Sequence, residues 1–285
     1  PNVLAYEARR RTAFAVGGLN APPERRVDVL SRFRQTMCSR GLTRQMLFPL
    51  REDEREDAFS AGFRSVQVGV EAWLDLDEFT LTGKRWAHVR QMNNRAKARG
   101  VIVEEADLEQ WAEEMAAVHG EWLTSKRPSW RMKLLIGSPG FERPYDRRYV
   151  VAHADGELQG FCTVLPGRDG VWGLDVMCRR PNAIAGTMER LIVAVGQTLR
   201  DEGATQLSLG PCPMAGVPIE GQGQWLKRIF HVLYHSWIGN QVFGFASLHR
   251  FKAKFRPRWE PVYFAASPKI GPVALYRGCR MWGLY

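Results

Sequence analysis

YVVAHADGELQGFCTVLPGRDGVWGLDVM, residues 149–177, is the stretch whose reading decides the fold. Tyr149–Ala154 and Leu158–Pro166 are apolar runs joined by Asp155-Gly156, a pair suited to a tight hairpin turn. Arg168-Asp169-Gly170 turns the chain again, into a third strand over Val171–Met177. A loop, Arg179–Gly186, leads into a helix that Thr187 caps, that runs to Glu202 and that Gly203 stops. Gln206–Leu209 is the following strand and ends at Gly210-Pro211.

Upstream, Glu24–Ser39 places Val27, Leu30, Phe33 and Met37 at helical spacing, with Gly41 closing the helix. Arg44–Leu50 reads as a strand, Asp53–Ala61 as a short charged helix and Ser65–Leu74 as an alternating strand. Thr80–Gly100 is helical, with Trp86, Val89 and Met92–Asn93 inward. Val101–Glu104 is a strand, and Ala106–Lys126 a helix burying Leu108, Trp111, Met115, Val118 and Trp122. Pro128–Pro144 is rich in Gly and Pro and reads as a connector. The expected organisation is α+β: an N-terminal unit over 1–127, a connector over 128–144 and a C-terminal unit over 145–285, each a small twisted sheet with flanking helices. A hydrophobic content of 45% in 285 residues supports a sizeable core and excludes a disordered chain.

Charge is distributed unevenly. The formal net charge is +10, which favours an anionic partner such as RNA or an acidic membrane surface. Between Glu78 and Glu104 no acid occurs, while Lys84, Arg85, Arg90, Arg95, Lys97 and Arg99 do. Lys126–Lys133 is a second acid-free basic segment, carrying Trp130. The third is the longest. From Gly221 through Trp259 there is no acid, and LHRFKAKFRPRWEPVY, residues 248–263, concentrates the cations. Ser247 reads as an N-cap, Leu248, Phe251 and Phe255 share a helical face, and Pro257 ends the turn before a strand over Trp259–Ala265. Cations at 250, 252, 254, 256 and 258 also fit a single long strand, but Pro257 is awkward inside one. Such a segment needs counter-charge from elsewhere.

The five cysteines form no C-x-x-C pair and the six histidines no H-E-x-x-H spacing, so metal ligation is unsupported and the cysteines read as reduced core residues. There is no nucleophile elbow, no Walker loop and no apolar run of bilayer length. The chain opens on Pro1 rather than Met, as a piece of a longer protein would.

The strand–loop–helix order of the second half is similar to the acyl-CoA N-acyltransferase (GNAT-like) fold. Those enzymes hold pyrophosphate at a helix N-terminus on a loop of the form R/Q-x-x-G-x-G/A. Here the loop is RRPNAIAG, residues 179–186, with one glycine, which argues against coenzyme A. Four ordered stretches resemble a more particular family, the C-terminal catalytic domain of the phosphatidylglycerol lysyltransferases. They are FTLTGKRWAHVRQMNNRAKARG (79–100), GLDVMCRRP (173–181), LSLGPCPMAGV (207–217) and LHRFKAKFRPRWEP (248–261).

That resemblance implies two tandem GNAT-like subdomains and transfer of an amino acid from aminoacyl-tRNA to a membrane lipid such as phosphatidylglycerol, or to another hydroxyl or amine. It implies no metal and no cofactor beyond the aminoacyl-tRNA co-substrate, a place at the cytoplasmic face of the membrane, and a preceding transmembrane domain outside this chain. An ester on tRNA is already activated, so the protein supplies positioning, an ammonium site and cations. The resemblance points to Asp175 for the ammonium or proton transfer, with Arg179 near it, and to Lys252 and Lys254 for phosphate or the oxyanion. Arg90 and Asn94 match the family's L-R-x-x-x-N-R helix. Arg85, Gly210, Arg256, Arg258 and Trp259 complete the expected substrate surface, Trp259 by stacking on bases or facing a membrane interface. Two positions depart from the pattern: Cys178 replaces an arginine, with Arg179 or Arg180 adjacent, and Asn240 replaces an acid. The other classes are an acyl-CoA N-acyltransferase, on topology, and a non-catalytic RNA- or lipid-binding module, on charge.

Overall fold

The computed structural model describes residues 4–125, 139–142, 144–213, 215–217 and 245–281. In chain order the elements are β1 (Tyr6–Arg9), β2 (Thr12–Val16), α1 (Pro23–Ser39), β3 (Arg44–Arg51), α2 (Arg55–Ser60) and β4 (Arg64–Asp75). Then come α3 (Ala87–Ala98), β5 (Ile102–Glu105), α4 (Leu108–Ser125), β6 (Arg148–Ala154), β7 (Glu157–Pro166), β8 (Val171–Arg179), α5 (Thr187–Asp201) and β9 (Gln206–Pro213). The described chain ends with α6 (Phe245–Ala253), β10 (Arg258–Ser267) and α7 (Pro272–Met281). Among the described residues no helix is long and apolar enough to cross a membrane.

The strands form one mixed sheet in the order β1-β2-β3-β10-β4-β9-β8-β7-β6-β5. The two small sheets expected from the sequence are therefore joined edge to edge. The seam is the antiparallel pair β4–β9, from Gly69 opposite Pro213 to Asp75 opposite Gln206. Each half carries helices on both faces. Around β2, β3 and β10, one core holds Leu30, Phe33 and Met37 of α1, and the other holds Phe14, Phe264 and Ala274 of α7. Around β6–β9, one core packs α3 and α5 through Val89, Ala96, Leu191 and Val195, and the other packs α4 through Trp111, Met115 and Val118.

Chain order and packing order differ. β5 and α4 precede the connector, yet β5 pairs with β6 and α4 covers β7 and β8. β10 follows the connector, yet it pairs with β3 and β4, with Val262–Ser267 buried throughout. Two helix starts differ from the sequence reading. Gly186, not Thr187, is the N-cap of α5; Thr187 is inside, its hydroxyl donating to the Ile184 carbonyl at 2.7 Å. α6 begins at Phe245, so Ser247 lies within the helix rather than capping it.

Candidate active site

β8 and β9 run parallel but pair only over Val171–Gly173 against Gln206–Ser208, and beyond that point they part. The parting has a side-chain cause on β9. Gly210 takes a positive φ of 83°, and both ends of its backbone are held by side chains instead of by β8. Its N–H donates to Ser208 Oγ at 2.9 Å, and its carbonyl accepts from Lys252 Nζ at 2.9 Å. Pro211, which has no N–H to offer a ladder, gives its carbonyl to the same Nζ at 3.1 Å.

Lys252 is thus a buried residue, 4% exposed, reaching from α6 into the seam. Its ammonium also meets the Cys212 thiol and the field of Glu71. Burial pulls the Lys252 ammonium below its ordinary range, and burial pushes Glu71 and Cys212 up. The Ser208 hydroxyl donates to Glu71, so Glu71, Ser208, Gly210 and Lys252 form one connected network. As placed, Lys252 grips backbone rather than facing solvent phosphate.

Asp175 lies on β8 just past the point of parting. Across β7–β8, Cys162 opposes Met177 and Val164 opposes Leu174, so Thr163 alone faces Asp175 and Val176. That two-against-one arrangement is a β-bulge, a device that re-aims a side chain. Thr163 Oγ1 accepts from the Val176 N–H at 3.1 Å and hydrogen-bonds Asp175. Arg147 donates through Nη1 to Asp175 Oδ2 at 3.0 Å, and its Nε to Asp146 Oδ1 at 2.7 Å. Burial pushes the Asp175 carboxyl above its ordinary range, while Arg147 and Thr163 pull it back.

Neither arginine next to Cys178 takes the place of the missing one. Arg180 is committed to α4 and β7, pairing with Glu121 at 3.0 Å and Glu114 at 3.5 Å and donating to the Leu158 carbonyl at 2.7 Å. Arg179 lies exposed at the end of β8 and donates to the Arg180 and Pro181 carbonyls. Cys178 is buried in the core beneath α4. The cation on Asp175 is Arg147, which no spacing in the sequence links to it.

The remaining candidates gather where α3, α5 and the α6–β10 turn meet. Arg85 pairs with Glu78 at 3.1 Å and donates to the Arg256 carbonyl at 3.0 Å. Lys254 pairs with Glu189, in the first turn of α5, at 2.8 Å. Gly186 comes so close to α3 that a Cβ there would lie 2.2 Å from the Met92 carbonyl oxygen. The helix end that holds pyrophosphate in coenzyme A enzymes is here covered by α3, and the buried Glu189 of its first turn is paired with Lys254. With φ at 97°, Gly186→Ala is expected to lose about 1–3 kcal/mol in chemical denaturation. Unchanged stability would show that α3 does not bear on α5 there.

Arg90 donates to the Leu81 and Gly83 carbonyls at 2.6 and 3.1 Å, fixing the approach to α3. Asn94 is exposed and accepts from Asn93. Trp259 is half-buried and stacks on His249 at 4.4 Å, so one face of its indole is taken by an imidazole. Arg258 is exposed and pairs with Glu260. Asn240 and the basic segment at Lys126–Lys133 with Trp130 lie outside the described residues.

Two half-sheets sharing one seam, with a strand parting and a bulged carboxylate beside it, give the tandem GNAT-like acyltransferase architecture. Residues 2–266 match the family described as "Phosphatidylglycerol lysyltransferase, C-terminal", and the chain belongs to that family. It is 29% identical over 219 residues to a phosphatidylglycerol lysyltransferase of Bacillus subtilis, covering 74% of this chain and 25% of that protein. A lysylphosphatidylglycerol biosynthesis bifunctional protein LysX of Rhodococcus jostii is 30% identical over 214 residues, covering 70% of this chain and 18% of that protein. The chain thus spans a quarter or less of the length of these relatives. The solved structure of L-PGS from Bacillus licheniformis superposes with a TM-score of 0.78 at 22% identity, over 99% of this chain and 86% of that one.

Proposed function

We propose that this chain is an aminoacyl-transfer domain, taking an amino acid from aminoacyl-tRNA and passing it to the headgroup hydroxyl of a membrane lipid such as phosphatidylglycerol. The names of its relatives support the lipid acceptor. The donor rests on one observation about α3. Lys84, Arg85, Arg95, Lys97 and Arg99 are exposed on a helix and lead-in that hold no acid, and α3 packs directly on the start of α5. A polyanion lying on α3 would bring its end toward the parting of β8 and β9. The close cover of α3 over the N-terminus of α5 speaks against coenzyme A as donor.

In this reading the ester arrives activated, and the protein supplies position and charge. Asp175 accepts the donor's ammonium or a proton, while Gly210, held by Ser208 and Lys252, shapes the opposite wall of the gap. The test is tRNA binding against salt concentration. Wild type should show a steep negative slope of log affinity on log salt. Arg95→Ala/Lys97→Ala/Arg99→Ala should flatten it by roughly two to three units, the range for three lost phosphate contacts. A flat wild-type slope, or a triple variant identical to wild type, would remove tRNA from this face.

A further inference from the structure

The α4-facing side of β6–β8 is apolar, formed by Val151, Phe161, Val176 and Cys178 beneath Trp111 and Met115. A polar row crosses it. Tyr149 on β6 sits opposite Thr163 on β7, and Thr163 faces the bulged Asp175 on β8. Thr163 is satisfied by Val176 and Asp175. Tyr149 is not. Its side chain is 4% exposed, its ring stacks on Phe141 at 5.7 Å, and its hydroxyl has no hydrogen-bond partner among the described residues. Native proteins rarely leave a buried hydroxyl unpaired, and a group so placed beside a functional carboxylate invites a ligand. Tyr149 and Asp175 thus flank Thr163 on either side, in the electrostatic field that Arg147, Asp146 and Asp175 share.

We infer that Tyr149 and Asp175 form a seat for the primary ammonium of the aminoacyl donor, with Arg147 holding the place when the seat is empty. The inference rests on the aminoacyl-transfer reading and adds Tyr149 and Arg147 to it. An ammonium has three donors and needs acceptors in fixed directions. The half-buried Asp175 carboxylate and the buried Tyr149 oxygen supply them. A half-buried carboxylate without a cation is strongly unfavourable, and Arg147 offsets part of that cost while no donor is present. When the ammonium arrives, Arg147 gives up Asp175 and stays on Asp146, which it already holds at 2.7 Å. Each carboxylate keeps a cation on both sides of the exchange.

The probes are lysine and alanine methyl esters, minimal mimics of an aminoacyl ester, and their Nα-acetylated forms, titrated by NMR. Wild type should bind a free-amine ester saturably and the acetylated form at least about tenfold more weakly. Tyr149→Phe should weaken the free-amine ester by about tenfold, the loss of one charge-assisted hydrogen bond, with the melting temperature held or raised. Arg147→Met should tighten it by removing the competing cation. Equal binding of acetylated and free esters, no saturable ester binding, or a Tyr149→Phe variant with wild-type affinity would overturn the seat. None of these uses tRNA. Tyr149-dependent ester binding by a protein that fails to bind tRNA would keep the seat and retire the tRNA donor.

Discussion

Replacing Lys252 by Met should cost about 3–5 kcal/mol of folding stability, the range for removing one member of a buried charged network. The residue is 4% exposed, and its loss strands the carbonyls of Gly210 and Pro211 and leaves Glu71 with Arg51 alone of its two nearby cations. The midpoint of thermal unfolding should drop by on the order of 10 °C. The salt slope of tRNA binding at temperatures where the variant is folded should not change, because this ammonium points into backbone. A phosphate-binding lysine predicts the reverse, full stability with a flattened slope. Arg95, Lys97 and Arg99 on the exposed face of α3 should behave in that second way. The pair of measurements therefore separates cations that build the gap from cations that face the donor. Transfer activity of Lys252→Met should also fall, through loss of the Gly210 position.

The elements of the second half were legible because local chemistry determines them. Asp155-Gly156 and Asp169-Gly170 supply positive φ at the two turns, and Gly203 stops α5. The joining of the halves was not, since edge-to-edge pairing of β4 with β9 depends on partners about 140 residues apart and no local pattern encodes it. β1 and β2 were missed because they are short, and β1 is exposed along its whole length, which removes the alternation that marks a strand. At the site, motif resemblance drew attention to Asp175, Gly210 and Lys252, and the structure brings Gly210 and Lys252 into contact. It could not show which cations are consumed internally. Lys252, Lys254 and Arg90 look like free charge in an acid-free run, yet each has a partner distant in sequence or on the backbone. Arg147, Tyr149 and Glu71 escaped notice for the converse reason, each lying in a plain strand or beside one, with its role set by the strand opposite.

Asp175→Asn should abolish most transfer, by on the order of 10²–10³-fold in kcat/KM, while leaving the fold intact. The amide keeps the shape and can still hydrogen-bond Thr163, and Arg147 keeps Asp146, so the melting temperature should stay within about 2 °C or rise. The sign follows from the carboxyl. Burial holds its folded pKa above the ordinary 3.8. Stability from this group is therefore fully present below that value and is lost as pH rises through the raised folded value. At neutral pH the ionised Asp175 is a net cost to the fold, so its removal relieves the protein of a strained charge, and the pH dependence it contributes should vanish in the variant. A carboxylate retained only to pin Arg147 would give the opposite pair of results, intact transfer with lowered stability. A group that costs stability and sits in a bulge beside the parted strands has its justification in what it binds, and transfer measured beside unfolding tests that directly.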